Sequence, residues 1–258
     1  MAAGGLVLAL GGGGARGLAH LGVIQVLQAN RVPIAGLVGT SMGAVVAALV
    51  GAGGDPALLE RLAAAFPWPD LLDLSLSGLG FVGGDKALEV LELLCKGKTF
   101  AELDPPVWVV ATDLDEGVPV VLKEGKVAPA VRASISVPGV FAPFRLEGRT
   151  LVDGGVVAGV PVEIAREMGR PVVAVDVGFE FVRRRVRHFL DVVFKVINIM
   201  GSELDRRQVA LADLTLRPAV GHIGSAQFEL AGECVAAGRR AAEEALPSLL
   251  ALAGRTGA

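Results

Sequence analysis

Two glycine-rich turns lie 22 residues apart near the start of the chain, each fed by a short apolar run and each followed by an apolar stretch of helical period. The first, Gly12-Gly13-Gly14-Ala15-Arg16-Gly17, follows Leu6-Val7-Leu8-Ala9-Leu10; the second, Gly39-Thr40-Ser41-Met42-Gly43, follows Ile34-Ala35-Gly36-Leu37-Val38. Apolar runs without a polar alternation suit strands covered on both faces, which is the situation of a parallel sheet between helices. Spacing of Leu18, Leu21, Val23, Ile24, Val26 and Leu27 predicts a helix from Ala15 to about Ala29, and a second runs from Met42 to about Gly51. Further strands are expected at Val107–Thr112, Pro119–Leu122, Val172–Val177 and Leu214–Arg217, and helices at Asp85–Lys96, Pro161–Glu167, Leu190–Gln208 and Ala226–Leu252. This alternation predicts an α/β fold with a mainly parallel sheet.

The 258 residues contain no Pro/Ser-rich or highly charged linker, so one domain over 1–258 is expected. With 52% apolar and 20% charged residues the chain has ample material for a buried core. A net charge of −3 offers no general attraction to nucleic acid. Cys95 and Cys234 lack a CxxC or His-rich context, so they read as buried free thiols, with no metal site and no calcium-loop pattern expected. Val32 to Gly54 carries no charge over 23 residues, long enough to span a bilayer, yet Pro33 and six glycines divide it into strand, turn and helix. The N-terminal stretch has no positive n-region, and its glycines interrupt any apolar segment, so a cytoplasmic protein is expected.

Glycine amides converging after a buried strand, at the positive end of a helix, bind negative charge. In acyl transfer that charge is the oxyanion of the tetrahedral intermediate, which assigns Gly12, Gly13 and Gly14 as candidate donors. Arg16 is either an anchor and source of positive potential for that loop or a solvated arginine early in a helix. The same turn satisfies GxGxxG, but in a chain with 35 glycines about 0.6 chance matches are expected. A dinucleotide site also wants an acid at the end of the second strand, where this chain reads Val38-Gly39-Thr40-Ser41. A nicotinamide or flavin cofactor is therefore not expected. The GxSxG turn, with about 0.15 chance matches expected, has the strand-turn-helix context of a nucleophile elbow, against the plainer reading of a serine capping a helix.

A serine nucleophile needs a base. Of His20, His188 and His222, the last lies in a late glycine-rich loop where a hydrolase could place one. A carboxylate is better marked: Leu151-Val152 leads to Asp153-Gly154-Gly155, which reads either as an acid aimed into a cleft or as a surface Asp-Gly turn.

Together and in this order, these three segments resemble the patatin-like phospholipase family, especially bacterial members of its neuropathy-target-esterase branch. The resemblance extends through His20, Phe81-Val82-Gly83-Gly84-Asp85, Ala111-Thr112-Asp113-Leu114, Arg132-Ala133-Ser134, Pro138 and Phe141, and the tail from Ala212 to Leu250. It implies a three-layer α/β/α fold and a lipid acyl hydrolase of phospholipase A, lysophospholipase or carboxylesterase type. Ser41 and Asp153 would be its catalytic dyad, Gly12, Gly13 and Gly14 its oxyanion hole, and Ala15, Arg16, Gly17, Gly39, Thr40, Met42, Gly43, Gly154 and Gly155 the supporting motif. It implies no cofactor, and phospholipid, lysophospholipid or another acyl ester as substrate. One departure stands near Asp153: many relatives carry Asn before the Pro-Val-Pro stretch, and this chain reads Val157-Ala158-Gly159-Val160-Pro161-Val162. A catalytically silent binding protein on the same fold is the alternative that the departure leaves open.

Arg183-Arg184-Arg185-Val186-Arg187-His188 precedes an apolar segment beginning Phe189-Leu190. Four arginines favour a solvated connector into an ordinary amphipathic helix, with a peripheral contact with anionic lipid at the inner membrane face as the alternative. Trp68 and Trp108 read as core or pocket lining.

Overall fold

The computed structural model describes residues 4–68, 80, 82–178 and 189–254, with backbone alone for 189–191, 193–195 and 197–198. In chain order the elements are β1 (Leu6–Leu10), a 3₁₀ turn (Gly14–Leu18) leading into α1 (Ala19–Ala29), β2 (Ile34–Thr40), α2 (Met42–Gly51), α3 (Pro56–Ala65), α4 (Asp85–Leu94), β3 (Val107–Asp113) and β4 (Val118–Leu122). There follow α5 (Val127–Ser134), β5 (Phe144–Leu146), β6 (Arg149–Asp153), α6 (Val162–Arg166), β7 (Val172–Val175), α7 (Phe189–Val209), β8 (Leu214–Leu216), α8 (Ala231–Glu244) and α9 (Leu246–Ala253). The uncharged stretch 32–54 divides into β2 and α2, and among the described residues no helix is long and apolar enough to cross a membrane.

The sheet runs β5-β6-β3-β2-β1-β7-β8, with β4 also on β3, and is mostly parallel: β1 pairs in parallel with β2 and β7, β2 with β3, and β7 with β8. Alternate residues of β1 enter different cores. Leu6, Leu8 and Leu10 pack with Ile24, Val46 and Val235, from α1, α2 and α8; Val7 and Ala9 pack with Ile164 and Ala165 of α6. Both faces are covered, which is why the strand shows no polar alternation. Cys95 and Cys234 are buried and free. Trp68 stacks on Phe228 with ring centroids 4.0 Å apart, and its indole donates to the Ala63 carbonyl.

Strand β3 decides where β2 and β6 meet. Its residues 109–113 pair with β4 along one edge, so its other neighbours must share the remaining edge. On that edge β2 runs parallel as far as Thr40, opposite Val110, and β6 runs antiparallel down to Asp153, opposite Ala111. Two strands thus meet end to end on consecutive residues of a third. The residue after β2 and the last residue of β6 are forced together.

Several elements escape the periodicity reading. β5 has three residues and β6 five, with only two consecutive apolar positions; α5 has eight, too few for a helical stripe to declare itself. α3 carried a local signal in Asp55-Pro56: the Asp55 carboxylate accepts the Ala57 amide at 3.0 Å, with proline in the first turn. The single helix expected over Ala226–Leu252 begins only at Ala231 and breaks at Ala245, where Pro247 follows without an amide to continue the ladder.

α1 and α8 cross at two glycines. A Cβ on Gly22 would stand 2.0 Å from the Val235 carbonyl oxygen and one on Gly238 1.9 Å from that of Ala19, whereas Gly232, on the same helix as Gly238, faces open space. Gly238→Ala is expected to lower unfolding free energy by about 1–3 kcal/mol, because backbone must separate and the helix-propensity gain is smaller. Gly232→Ala is expected to leave it unchanged or raise it by up to about 1 kcal/mol. Urea unfolding of the two variants checks the contrast.

Candidate active site

Ser41 sits at the turn between β2 and α2 with φ +54 and ψ −123, a conformation that side chains seldom adopt and that a tightly packed corner must enforce. The flanking glycines make the corner tight. A Cβ on Gly39 would meet the Gly43 carbonyl oxygen at 2.4 Å, and one on Gly43 would meet that of Leu10 at 2.1 Å. The hydroxyl that results is nearly buried and donates to Asp153 Oδ2 at 2.6 Å. This is the plainest outcome of the end-to-end meeting of β2 and β6.

Asp153 is held from several sides. Its Oδ1 accepts the Gly155 amide at 2.7 Å, its amide donates to the Ser136 carbonyl, and its own carbonyl accepts the Thr112 hydroxyl. Burial pushes its carboxyl up from 3.8 to about 6, against the hydrogen bonds from Ser41 and Gly155, which pull the other way. A base of that strength is better matched to a hydroxyl than an exposed aspartate is.

The first glycine turn passes directly against the serine: a Cβ on Gly12 would lie 3.2 Å from Ser41 Cβ. The three candidate donors are not equivalent. The Gly12 amide donates to the Gly159 carbonyl at 2.9 Å, so as a donor for an oxyanion Gly12 is corrected to a residue whose amide is already engaged. The Gly13 and Gly14 amides have no acceptor among the described residues, and neither has Met42, the first residue of α2. Gly14 adopts φ +57, and its Cα presses on Ser225, whose carbonyl also accepts the Ala15 amide. Arg16 is an anchor rather than a solvated residue. Only 5% exposed, it donates to the Gly178 carbonyl at 2.8 Å and to the Gly13 carbonyl at 3.3 Å. Gly17 leaves room for Met42, whose Cβ would lie 2.6 Å from an added Cβ.

Histidine takes no part in the dyad among the described residues. Fully buried His20 pairs its Nε2 with the Gly11 carbonyl at 2.7 Å, and burial holds its pKa down at about 4, so the neutral ring donates and fixes the start of the glycine turn. His222 is exposed and pairs with Glu233. His188, like the arginine run before it and Phe81, lies outside the described residues. The end of β2 presents Thr40-Ser41 to the turn, where the serine hydroxyl donates to Asp153 and the Thr40 hydroxyl to the Ala158 carbonyl.

Four supporting residues had no role assigned from sequence. Ser134, the last residue of α5, accepts the Ser41 amide at 2.9 Å and donates to the Val110 carbonyl at 2.6 Å, fixing the elbow to β3. Arg132, two residues earlier and also buried, donates to the Gly83 and Gly84 carbonyls and to Ser136 Oγ, bracing the segment that holds the Asp153 amide. Thr112 fixes the Asp153 carbonyl as described, and Asp205 of α7 accepts the Val160 amide at 2.9 Å. Arg132 and Ser134 lie within a stretch that contributed to the family resemblance; for Asp205 no local pattern marks a role.

A family profile described as patatin-like phospholipase matches residues 8–166. Over 166 residues the chain is 39% identical to an NTE family protein of Mycobacterium tuberculosis, covering 61% of this chain and 44% of that protein. Over 182 residues it is 31% identical to patatin-like phospholipase domain-containing protein 6 of Homo sapiens, covering 67% of this chain and 13% of that one. It therefore spans less than half the length of these relatives. The crystal structure of VipD from Legionella pneumophila superposes with a TM-score of 0.66 at 16% identity, over 95% of this chain and 67% of the other, which is a likeness of fold. The profile covers both glycine turns and the Asp-Gly-Gly turn, and by that match the chain belongs to the patatin-like phospholipase family.

Proposed function

We propose that this protein is a serine lipid acyl hydrolase that works through a Ser41–Asp153 dyad and an acyl-enzyme. The observation that carries the reading is the 2.6 Å hydrogen bond from Ser41 Oγ to a buried carboxylate, beside amides that have no acceptor among the described residues. Family membership supports lipid esters as the substrate class, with a phospholipid, a lysophospholipid or a simpler acyl ester as its members.

In the first step Asp153 Oδ2 takes the hydroxyl proton as Ser41 Oγ bonds to the ester carbonyl carbon, and the carbonyl oxygen becomes the oxyanion. Donors for it are the Gly13 and Gly14 amides, with Met42 at the positive end of α2. Collapse of this intermediate breaks the bond to the alcohol oxygen, which leaves with the proton from Asp153. Water then attacks the acyl-enzyme, giving a proton to Asp153, and the second collapse returns that proton to Ser41 Oγ as the fatty acid departs. One carboxylate serves as base and acid in turn, the work that a histidine does in a triad.

For a lipid substrate the apolar side of α7 offers a resting surface: Val192, Val196, Ile199 and Met200, spaced at three and four residues, are 45–63% exposed. The arginine run that precedes this helix in sequence would favour anionic lipid.

Three outcomes test the reading. A fluorophosphonate is expected to label Ser41 in the wild-type protein and nothing in Ser41→Ala, as peptide mass mapping would read; a wild-type protein that stays unlabelled removes the nucleophile and the proposal with it. Asp153→Asn is expected to lower kcat on a p-nitrophenyl ester by at least about 10³-fold, since the base is gone while the fold persists. In the wild type, kcat/KM should rise with pH through about 6, following ionisation of Asp153, and stay level to pH 8.

The same shift has a stability sign. Because the folded protein holds the Asp153 proton more tightly than the unfolded chain does, stability falls as pH climbs from 3.8 to about 6, by roughly 3 kcal/mol at most. Asp153→Asn escapes that loss, so it should melt above the wild type at pH 8 and lose its advantage near pH 4, as calorimetry at the two pH values would show.

A further inference from the structure

We infer that Asp205 of α7 is a positioning residue for the active site, acting through the 158–160 segment on the glycine turn beside Ser41. Within this segment three successive residues hold three different parts of the molecule. The Ala158 carbonyl accepts the Thr40 hydroxyl at 2.8 Å, the Gly159 carbonyl accepts the Gly12 amide at 2.9 Å, and the Val160 amide donates to Asp205 Oδ1 at 2.9 Å. One strut therefore touches the residue before the nucleophile and the first residue of the oxyanion turn, and its outer end is tied to a side chain of a distant helix.

The tie is close. Asp205 is 6% exposed, and a Cβ on residue 159 would stand 2.4 Å from its Oδ1 and 2.6 Å from its Oδ2. The carboxylate lies against the backbone at Gly159, and only glycine leaves it room. Without Asp205 the Val160 amide would face a buried site with no acceptor, at a cost that a shift of the segment would relieve. Any such shift moves the Gly159 carbonyl, and the Gly12 amide that bonds to it. Gly12 is followed by Gly13 and Gly14, whose amides have no acceptor among the described residues, so their aim depends on this anchor. Displacing an active-site group by about 1 Å can cost 10²-fold in rate.

The surroundings supply no substitute. Asp176 faces Asp205 across a cavity of about 280 Å³ that Ser202, Arg206 and Arg217 also line, and Arg217 is paired with Asp176. Burial pushes the Asp205 carboxyl up to about 7, opposed by the Val160 amide and reinforced by Asp176. A proton on Oδ2 still leaves Oδ1 as acceptor, so the anchor holds in both ionisation states and asparagine can replace it.

This inference rests on the hydrolase reading for its rate consequence, and its test has an arm that does not. Asp205→Ala and Asp205→Asn are compared with the wild type by kcat and KM on a p-nitrophenyl ester, by melting temperature, and by hydrogen exchange of the Gly12 amide. Asp205→Ala should lower kcat by about 10- to 100-fold with KM within about threefold, and speed Gly12 exchange by a similar factor. Asp205→Asn should keep all of these within about threefold of wild type. Wild-type kcat and Gly12 exchange in Asp205→Ala would overturn the assignment, and so would equal losses in the two variants. If Asp205→Ala does not fold, Gly159→Ala pushes the carboxylate off the backbone with the charge retained. Faster Gly12 exchange there supports the anchor, and unchanged exchange overturns it. A wild-type protein without ester turnover speaks against the hydrolase reading, while Gly12 exchange still decides the role of Asp205.

Discussion

Strand β3 has one edge free of β4, and two strands running in opposite directions share it. β2 ends at Thr40 opposite Val110 and β6 ends at Asp153 opposite Ala111, so a serine just past one strand and an acid closing the other have nowhere to go except against each other. The Ser41–Asp153 contact is a property of strand register. Because β-pairing advances in whole residues, slipping β6 by one position would turn Asp153 to the other face of the sheet. Rigid neighbours defend that register: Thr112 on the Asp153 carbonyl, Ser136 on its amide and Ser134 on the Ser41 amide.

Asp153 accepts two hydrogen bonds at its carboxylate, from Ser41 and Gly155, yet burial outweighs them and raises its pKa to about 6. The folded chain tolerates that loss of stability because the large apolar cores on the two faces of the sheet provide the surplus. Arg16 and Arg132, both nearly buried, donate to carbonyls of the loops that frame the site, and Arg132 also to Ser136 Oγ.

The first glycine turn shows a division of labour among glycines that look alike in sequence. Gly12 gives its amide to Gly159 and so fastens the turn, Gly14 adopts the left-handed conformation against Ser225, and the Gly13 and Gly14 amides have no acceptor among the described residues. His20 and Arg16 fix the carbonyls of Gly11 and Gly13. A histidine inside a hydrolase motif is readily taken for a base; here its burial and its neutral ring make it a strut.

Much of this was legible along the chain because it is local. β1, β2 and the helices after them follow from unbroken apolar runs and helical spacing, and the GxSxG turn from the close approach of Gly39 and Gly43 that permits it. Short elements were not legible: β5, β6 and α5 carry too few residues for a period to show, and their form comes from pairing and packing against β3. Sequence by itself determined the layered parallel sheet, the strained corner at Ser41 and the presence of an acid in a glycine turn at Asp153, since each is written in neighbouring residues. Only the tertiary structure decided that the acid reaches the serine, that the Gly12 amide is tied to Gly159 while those of Gly13 and Gly14 have no acceptor among the described residues, and that Asp205 accepts the Val160 amide. Those outcomes depend on contacts between residues 45 to 147 positions apart, and a local pattern carries no information about which distant backbone amide a carbonyl or carboxylate will meet.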